Sequence, residues 1–144
     1  MSAARKRECA CHSGKAYTAC CKPYHDGVAL PPTPEALMRS RYAAFALGLG
    51  PYLVQTLAEG HADTGMAPGA LALELSRVKD RRRFLGLTVH SSAEDGDVGE
   101  VHFSARVFAK GADISFSERS TFVREEGAWR YLSGEMGPYA PAEG

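Results

Sequence analysis

Cys9, Cys11, Cys20 and Cys21 form the pattern C-x-C-x8-C-C near the start of a 144-residue chain, and the rest of the sequence contains no cysteine. Thiols grouped this way can pair as disulfides, hold a metal or act as nucleophiles. Adjacent residues sit about 3.8 Å apart across a trans peptide, closer than the roughly 4.4–6.8 Å that suits a disulfide, so a Cys20–Cys21 bond would be strained. Bonds from either to Cys9 or Cys11 are geometrically open. The N-terminus is basic but lacks the apolar stretch of a secretory signal, so a cytoplasmic, reducing setting is expected, and that argues against disulfides. A zinc ion needs four soft ligands at about 2.3 Å, which two close pairs joined by the loop of residues 12–19 supply with little chain to order. Spacing favours zinc but does not decide the matter, because C-x-C and C-C are tighter than the common C-x2-C knuckle.

Around these thiols the charge is uneven. The 17 basic and 17 acidic side chains cancel, which argues against a wholly basic nucleic-acid binder. Residues 1–25, however, carry Arg5, Lys6, Arg7, Lys15 and Lys22 against Glu8 alone, a net +4 that leaves −4 for the remainder. Four thiolates on Zn²⁺ sum to −2, and flanking cations would lower the thiol pKa values and offset that charge. With 44% hydrophobic residues and no apolar run of about 18, the chain reads as one soluble globular domain that does not span a membrane.

The string Cys9-Ala10-Cys11-His12-Ser13-Gly14-Lys15-Ala16-Tyr17-Thr18-Ala19-Cys20-Cys21 resembles the SEC-C motif, a small zinc-binding module known from the tail of the bacterial preprotein-translocating ATPase. The resemblance implies zinc held by Cys9, Cys11, Cys20 and Cys21. One departure is His12, where the motif usually has Gly; it is read as a surface residue. Four thiolates leave no open coordination position, so the zinc is expected to be structural and the protein is not expected to use it in catalysis.

The elements that must position this module follow in order. Leu30-Pro31-Pro32-Thr33-Pro34 reads as an extended connector, with Thr33 as N-cap, Pro34 at the first helical position and Glu35 in the first turn. Met38, Tyr42, Phe45 and Leu49 make one apolar stripe, and Gly48 with Gly50-Pro51 predict the helix end. A second helix is predicted from Tyr52 to Leu57 and a third after Pro68. The third is expected to end in Lys79-Asp80-Arg81-Arg82-Arg83, a solvated run suited to the helix dipole, with an anion or RNA contact as the other reading. Thereafter the period is 2: strands near 85–89 and 101–107, from Ile114 to Arg124 and from Trp129 to Ser133, joined by Gly-containing turns. Helices followed by an antiparallel meander are an α+β pattern.

This order, with Leu37-Met38-Arg39-Ser40-Arg41-Tyr42-Ala43-Ala44-Phe45, Phe84-Leu85-Gly86-Leu87-Thr88-Val89 and Glu118-Arg119-Ser120-Thr121-Phe122, resembles the YchJ-like family of uncharacterised bacterial proteins. The resemblance implies a SEC-C module over residues 1–27 and, over 28–144, a domain similar to nuclear transport factor 2: a curved antiparallel sheet wrapped around helices as a cone. Some relatives carry a second SEC-C module; none is expected in a chain ending Pro141-Ala142-Glu143-Gly144.

Phe116, Glu118, Ser120 and Phe122 share one strand face, so Glu118 is expected to face the interior, paired or protonated. The expected partner is Arg41, with Arg39 as the alternative. A structural ion pair between helix and sheet is one reading. The other is that Arg41, Tyr42 and Glu118, with His102 or Trp129, line a pocket for a small molecule or an enzymatic reaction. No pair of groups defines an acid–base dyad, and no phosphate loop or nucleophile elbow is present. The leading functional expectation is an adaptor whose zinc knuckle docks a protein or ribonucleoprotein partner; the pocket is the alternative.

Overall fold

Prolines set the helix starts. The computed structural model describes residues 7–141; Arg5 and Lys6 of the basic segment, and residues 142–144, lie outside the described residues. After the short α1 (Lys22–His25), α2 spans Pro34–Leu47, with the Thr33 hydroxyl accepting from the Ala36 N–H at 3.1 Å and Gly48 closing the helix at φ 78°. Gly50-Pro51 does more than end it: these residues are the first turn of α3 (Gly50–Gln55), so the second helix begins and ends two residues before the predicted one. Proline at a first turn costs no hydrogen bond, since that N–H has no intrahelical partner. Helix α4 (Pro68–Ser76) is followed by a single tight turn at Val78–Asp80, and Arg83 already opens a strand, so the cationic run is a helix-to-sheet corner rather than a helix end.

The strands are β1 (Arg83–Asp95), β2 (Val98–Ala109), β3 (Ala112–Asp113), β4 (Phe116–Glu125) and β5 (Ala128–Pro138). They form one antiparallel sheet in the order β1-β2-β4-β5, with β3 on the end of β2. The strand predicted from Ile114 to Arg124 begins two residues later, at Phe116, because the Ile114 N–H turns back to the Val107 carbonyl at 2.9 Å. Irregularities between Phe84 and Gly86, Val89 and Ser91, and Thr121 and Phe122 increase local twist and bend the sheet.

The concave face wraps α2. Leu37 packs with Val101, Val107, Phe122 and Trp129 in a core that also takes in Cys9, Cys11 and Cys21 of the knuckle. The helix is therefore buried well beyond its predicted stripe, at Ser40, Arg41, Ala43 and Ala44 as well. Sheet, knuckle and α3 each cover part of it, and the buried Ser40 hydroxyl is satisfied by donating to the Leu37 carbonyl at 2.7 Å and bonding the Tyr52 hydroxyl. Among the described residues no helix is long and apolar enough to cross a membrane.

Candidate functional site

Two tight turns bring the thiols together. The Cys9 N–H bonds the Lys15 carbonyl at 2.8 Å and the His12 N–H returns to the Cys9 carbonyl at 3.1 Å, which requires His12 at φ 61° and Gly14 at φ 84°. The turn at Tyr17–Ala19 and the start of α1 then present Cys20 and Cys21. All four sulfurs lie within 4.8 Å of one another. Cys11 and Cys20 are 3.6 Å apart and Cys20 and Cys21 are 3.9 Å apart, on either side of the roughly 3.8 Å edge of a tetrahedron with Zn–S bonds of about 2.3 Å. The donor set thus fits a four-coordinate metal ion. Hydrogen bonds, chiefly from Cys21, pull the Cys11 thiol down to about 4, while burial pushes Cys9 up to about 11 and the bond to Cys11 pushes Cys21 up. Several thiolates so close together are stable only when a cation replaces their protons.

The knuckle is tied to α2 at three points. Arg39 donates to the Cys11 carbonyl at 3.2 Å and pairs with Glu35 one turn back at 3.1 Å. His25 donates from Nε2 to the Ser40 carbonyl at 2.8 Å and accepts at Nδ1 from the Tyr17 hydroxyl at 2.6 Å; burial lowers its pKa. His12 sets its ring edge-on to Tyr42, centroids 5.7 Å apart. His25 was not singled out from the sequence, although a histidine four residues past the last cysteine, one helical turn on, is a usable signal.

Between α2 and the sheet lies a cavity of about 780 Å³. Met38, Phe45, Phe84, Phe103, Phe116 and Phe122 supply its apolar wall, and Arg41, Tyr42, Glu118, Ser120 and Tyr131 its polar groups. The predicted Arg41–Glu118 ion pair does not form. Arg41 instead donates to the Leu53 carbonyl at 2.8 Å and the Thr56 hydroxyl at 2.6 Å, with its guanidinium 4.7 Å from the Tyr131 ring centre. Glu118 accepts from Ser120 at 2.5 Å and from the Tyr131 hydroxyl at 3.0 Å, both at Oε2. Tyr131 thus stands between the two charges. Burial lowers Arg41 to about 10 and raises Tyr131.

Three other candidates lie elsewhere. Arg39 serves the knuckle rather than Glu118. His102 stands beside His90 at 4.7 Å between ring centres, on the face of β2 away from the cavity, because it alternates with the inward Phe103. Trp129 is buried at the opposite end of the sheet, against Gly99 and under the Arg124 guanidinium, 4.8 Å from its ring. Tyr131, Arg81, Arg82 and Lys110 line the cavity without having been predicted there.

A helix-filled curved sheet joined to a four-thiol knuckle defines a nuclear-transport-factor-2-like cone of the SEC-C-containing class. The model of the family "YchJ, middle NTF2-like domain" matches residues 33–134, and the chain belongs to that family. A UPF0225 protein of Deinococcus radiodurans is 43% identical over 129 residues, covering 88% of this chain and 87% of the relative. The solution structure of a SEC-C motif containing protein from Rhodopseudomonas palustris superposes with a TM-score of 0.77 at 38% identity, covering 88% of this chain and 96% of the other. A crystal structure of a SEC-C motif containing protein from Psychrobacter arcticus shares the fold, with a TM-score of 0.69, 24% identity, and coverage of 100% and 80%.

Proposed function

We propose that the protein is a ligand-binding cone whose four-cysteine knuckle holds structural zinc. The observation that carries this reading is the cavity of about 780 Å³, within the roughly 300–1,000 Å³ range of small-molecule sites, with few polar groups set in an apolar wall. The knuckle supports a structural role for its metal: Cys9, Cys11 and Cys21 are buried against α2 rather than presented outward, and a complete thiolate set leaves no site for substrate. Zinc contributes Lewis-acid binding of four thiolates and nothing more to this scheme. Elemental analysis of reduced protein is expected to give about one zinc per chain, falling in Cys20→Ser. Methyl NMR of Met38 and Met136, which lie inside and at the mouth of the cavity, tests the pocket: an apolar fragment library that moves neither methyl overturns it.

Docking of a protein or ribonucleoprotein is the second reading, favoured by the exposed Arg7 and Lys15 on the knuckle. A partner captured in a pull-down that weakens with salt and is lost on chelation supports it. Capture that survives metal removal overturns it.

A further inference from the structure

We infer that the cavity takes an amphipathic carboxylate, its apolar body lying among the phenylalanines and its head at the mouth. The inference rests on the ligand-binding reading and adds the class of ligand. Among the described residues the interior contains one cation and one anion, Arg41 and Glu118, in the same polar cluster. Each is anchored within that cluster: Arg41 donates through Nη1 to the Leu53 carbonyl and the Thr56 hydroxyl, and Glu118 accepts both neighbouring hydroxyls at Oε2. The remaining interior hydroxyl, on Tyr42, donates to the Gly86 carbonyl at 3.0 Å. A charged head driven inward would lose its water and meet Arg41 and Glu118 together, so that repulsion by one offsets attraction by the other.

The mouth differs. Arg81, Arg82 and Lys110 line it, all exposed, and among the described residues Glu118 is the only acidic one lining the cavity. Among the described residues none of these three cations forms a salt bridge. Of the acids adjacent in sequence, Asp80 pairs with Lys79 at 3.4 Å, and Asp113 accepts from the Ser115 N–H at 2.9 Å. Exposed Ile114 and Met136 continue the apolar wall out to the same rim. An apolar channel ending in three unpaired cations matches a ligand with a hydrocarbon or aromatic body and an anionic head, and two guanidinium forks suit a planar carboxylate, which accepts both N–H bonds of a fork. A cationic head would be repelled there, and a neutral one would gain only burial.

The test is calorimetric titration of the zinc-loaded protein with dodecanoate, dodecanol and dodecylammonium, the two ionic probes below their micelle concentrations and dodecanol below its solubility limit. Dodecanoate is expected to bind roughly five- to tenfold tighter than dodecanol, with dodecylammonium weakest, since rim charges add modestly to binding. The Arg81→Gln/Arg82→Gln variant is expected to lose that preference and to narrow its response to salt, while dodecanol binding stays unchanged and reports an intact fold. Equal binding of all three probes, or tighter binding of the amine, overturns the carboxylate assignment and leaves the cavity reading standing. No binding by any probe overturns both.

Discussion

His12 sits at φ 61°, in the left-handed region, where a β-carbon costs roughly 1–2 kcal/mol. The resembling motif places Gly here, and the turn that brings Cys9 and Cys11 together supplies the reason. In this chain the edge-on contact with Tyr42 offsets the strain by about 0.5–1.5 kcal/mol. Replacing the ring by a methyl group keeps the strain and loses the contact, whereas glycine loses both. His12→Gly is thus expected to be more stable than His12→Ala by about 1 kcal/mol in chemical denaturation of the metal-loaded protein; equal stabilities would show that the turn carries no strain. Glu118→Gln keeps an acceptor for Ser120 and Tyr131 but removes the negative charge, so a loss of about 1 kcal/mol, roughly 3 °C in Tm, is expected. An unchanged Tm would mean that the charge contributes nothing to the Tyr131–Arg41 cluster. The inward facing of Glu118 was legible in the sequence because strand period 2 puts it with Phe116 and Phe122. Its partner was not, because Tyr131 reaches it diagonally from β5, across a register shifted by the irregularity at Thr121 and Phe122.

Helix boundaries show what local signals resolve. Thr33-Pro34 was unambiguous, since a capping hydroxyl and a first-turn proline point the same way. Gly50-Pro51 carries two meanings, an end and a start, and only packing selects between them. A β-carbon at Gly50 would lie 1.8 Å from the Ala72 carbonyl oxygen and 2.3 Å from the Ser76 hydroxyl, which accepts the Gly50 N–H at 2.9 Å. Backbone meets backbone where α3 crosses α4, and neither can yield cheaply. Gly50→Ala is therefore expected to cost about 2–3 kcal/mol. Gly69, within α4, faces open space, and Gly69→Ala is expected to be stabilising by about 0.5–1 kcal/mol. Denaturation midpoints of the two variants check the contrast, and a neutral Gly50→Ala would mean that the α3–α4 crossing is looser than described. The cationic run at residues 79–83 was legible as a solvated segment, but its place at the cavity mouth depends on how the α4 corner returns to β1, which no local pattern encodes.

For the molecule as a whole, the zero net charge joins a basic knuckle to an acidic cone, yet the two are not mechanically separate. Cys9, Cys11 and Cys21 belong to the same packed core as Leu37, Val101 and Phe122, and Arg39 and His25 bind the knuckle to α2. Metal binding should consequently stabilise the entire chain. With metal at about a thousandfold over its dissociation constant, linkage gives roughly 4 kcal/mol, or about 12 °C in Tm, lost on chelation in a single transition. Acid acts in the same direction by two routes. Thiolate ligands must be deprotonated, so metal is released as pH falls. Burial also lowers His25 below its ordinary value of 6.5, so the unfolded chain binds a proton that the folded chain resists; this contribution is present above about 6.5 and is lost as pH falls through the folded value. The chelated protein should keep only the smaller His25 part of that slope, and His25→Gln should remove it. Calorimetry between pH 8 and 5.5, with and without chelator, reads both components. Two resolved transitions, with the cone melting at a temperature indifferent to chelator, would show that the knuckle is an appendage and not part of the core.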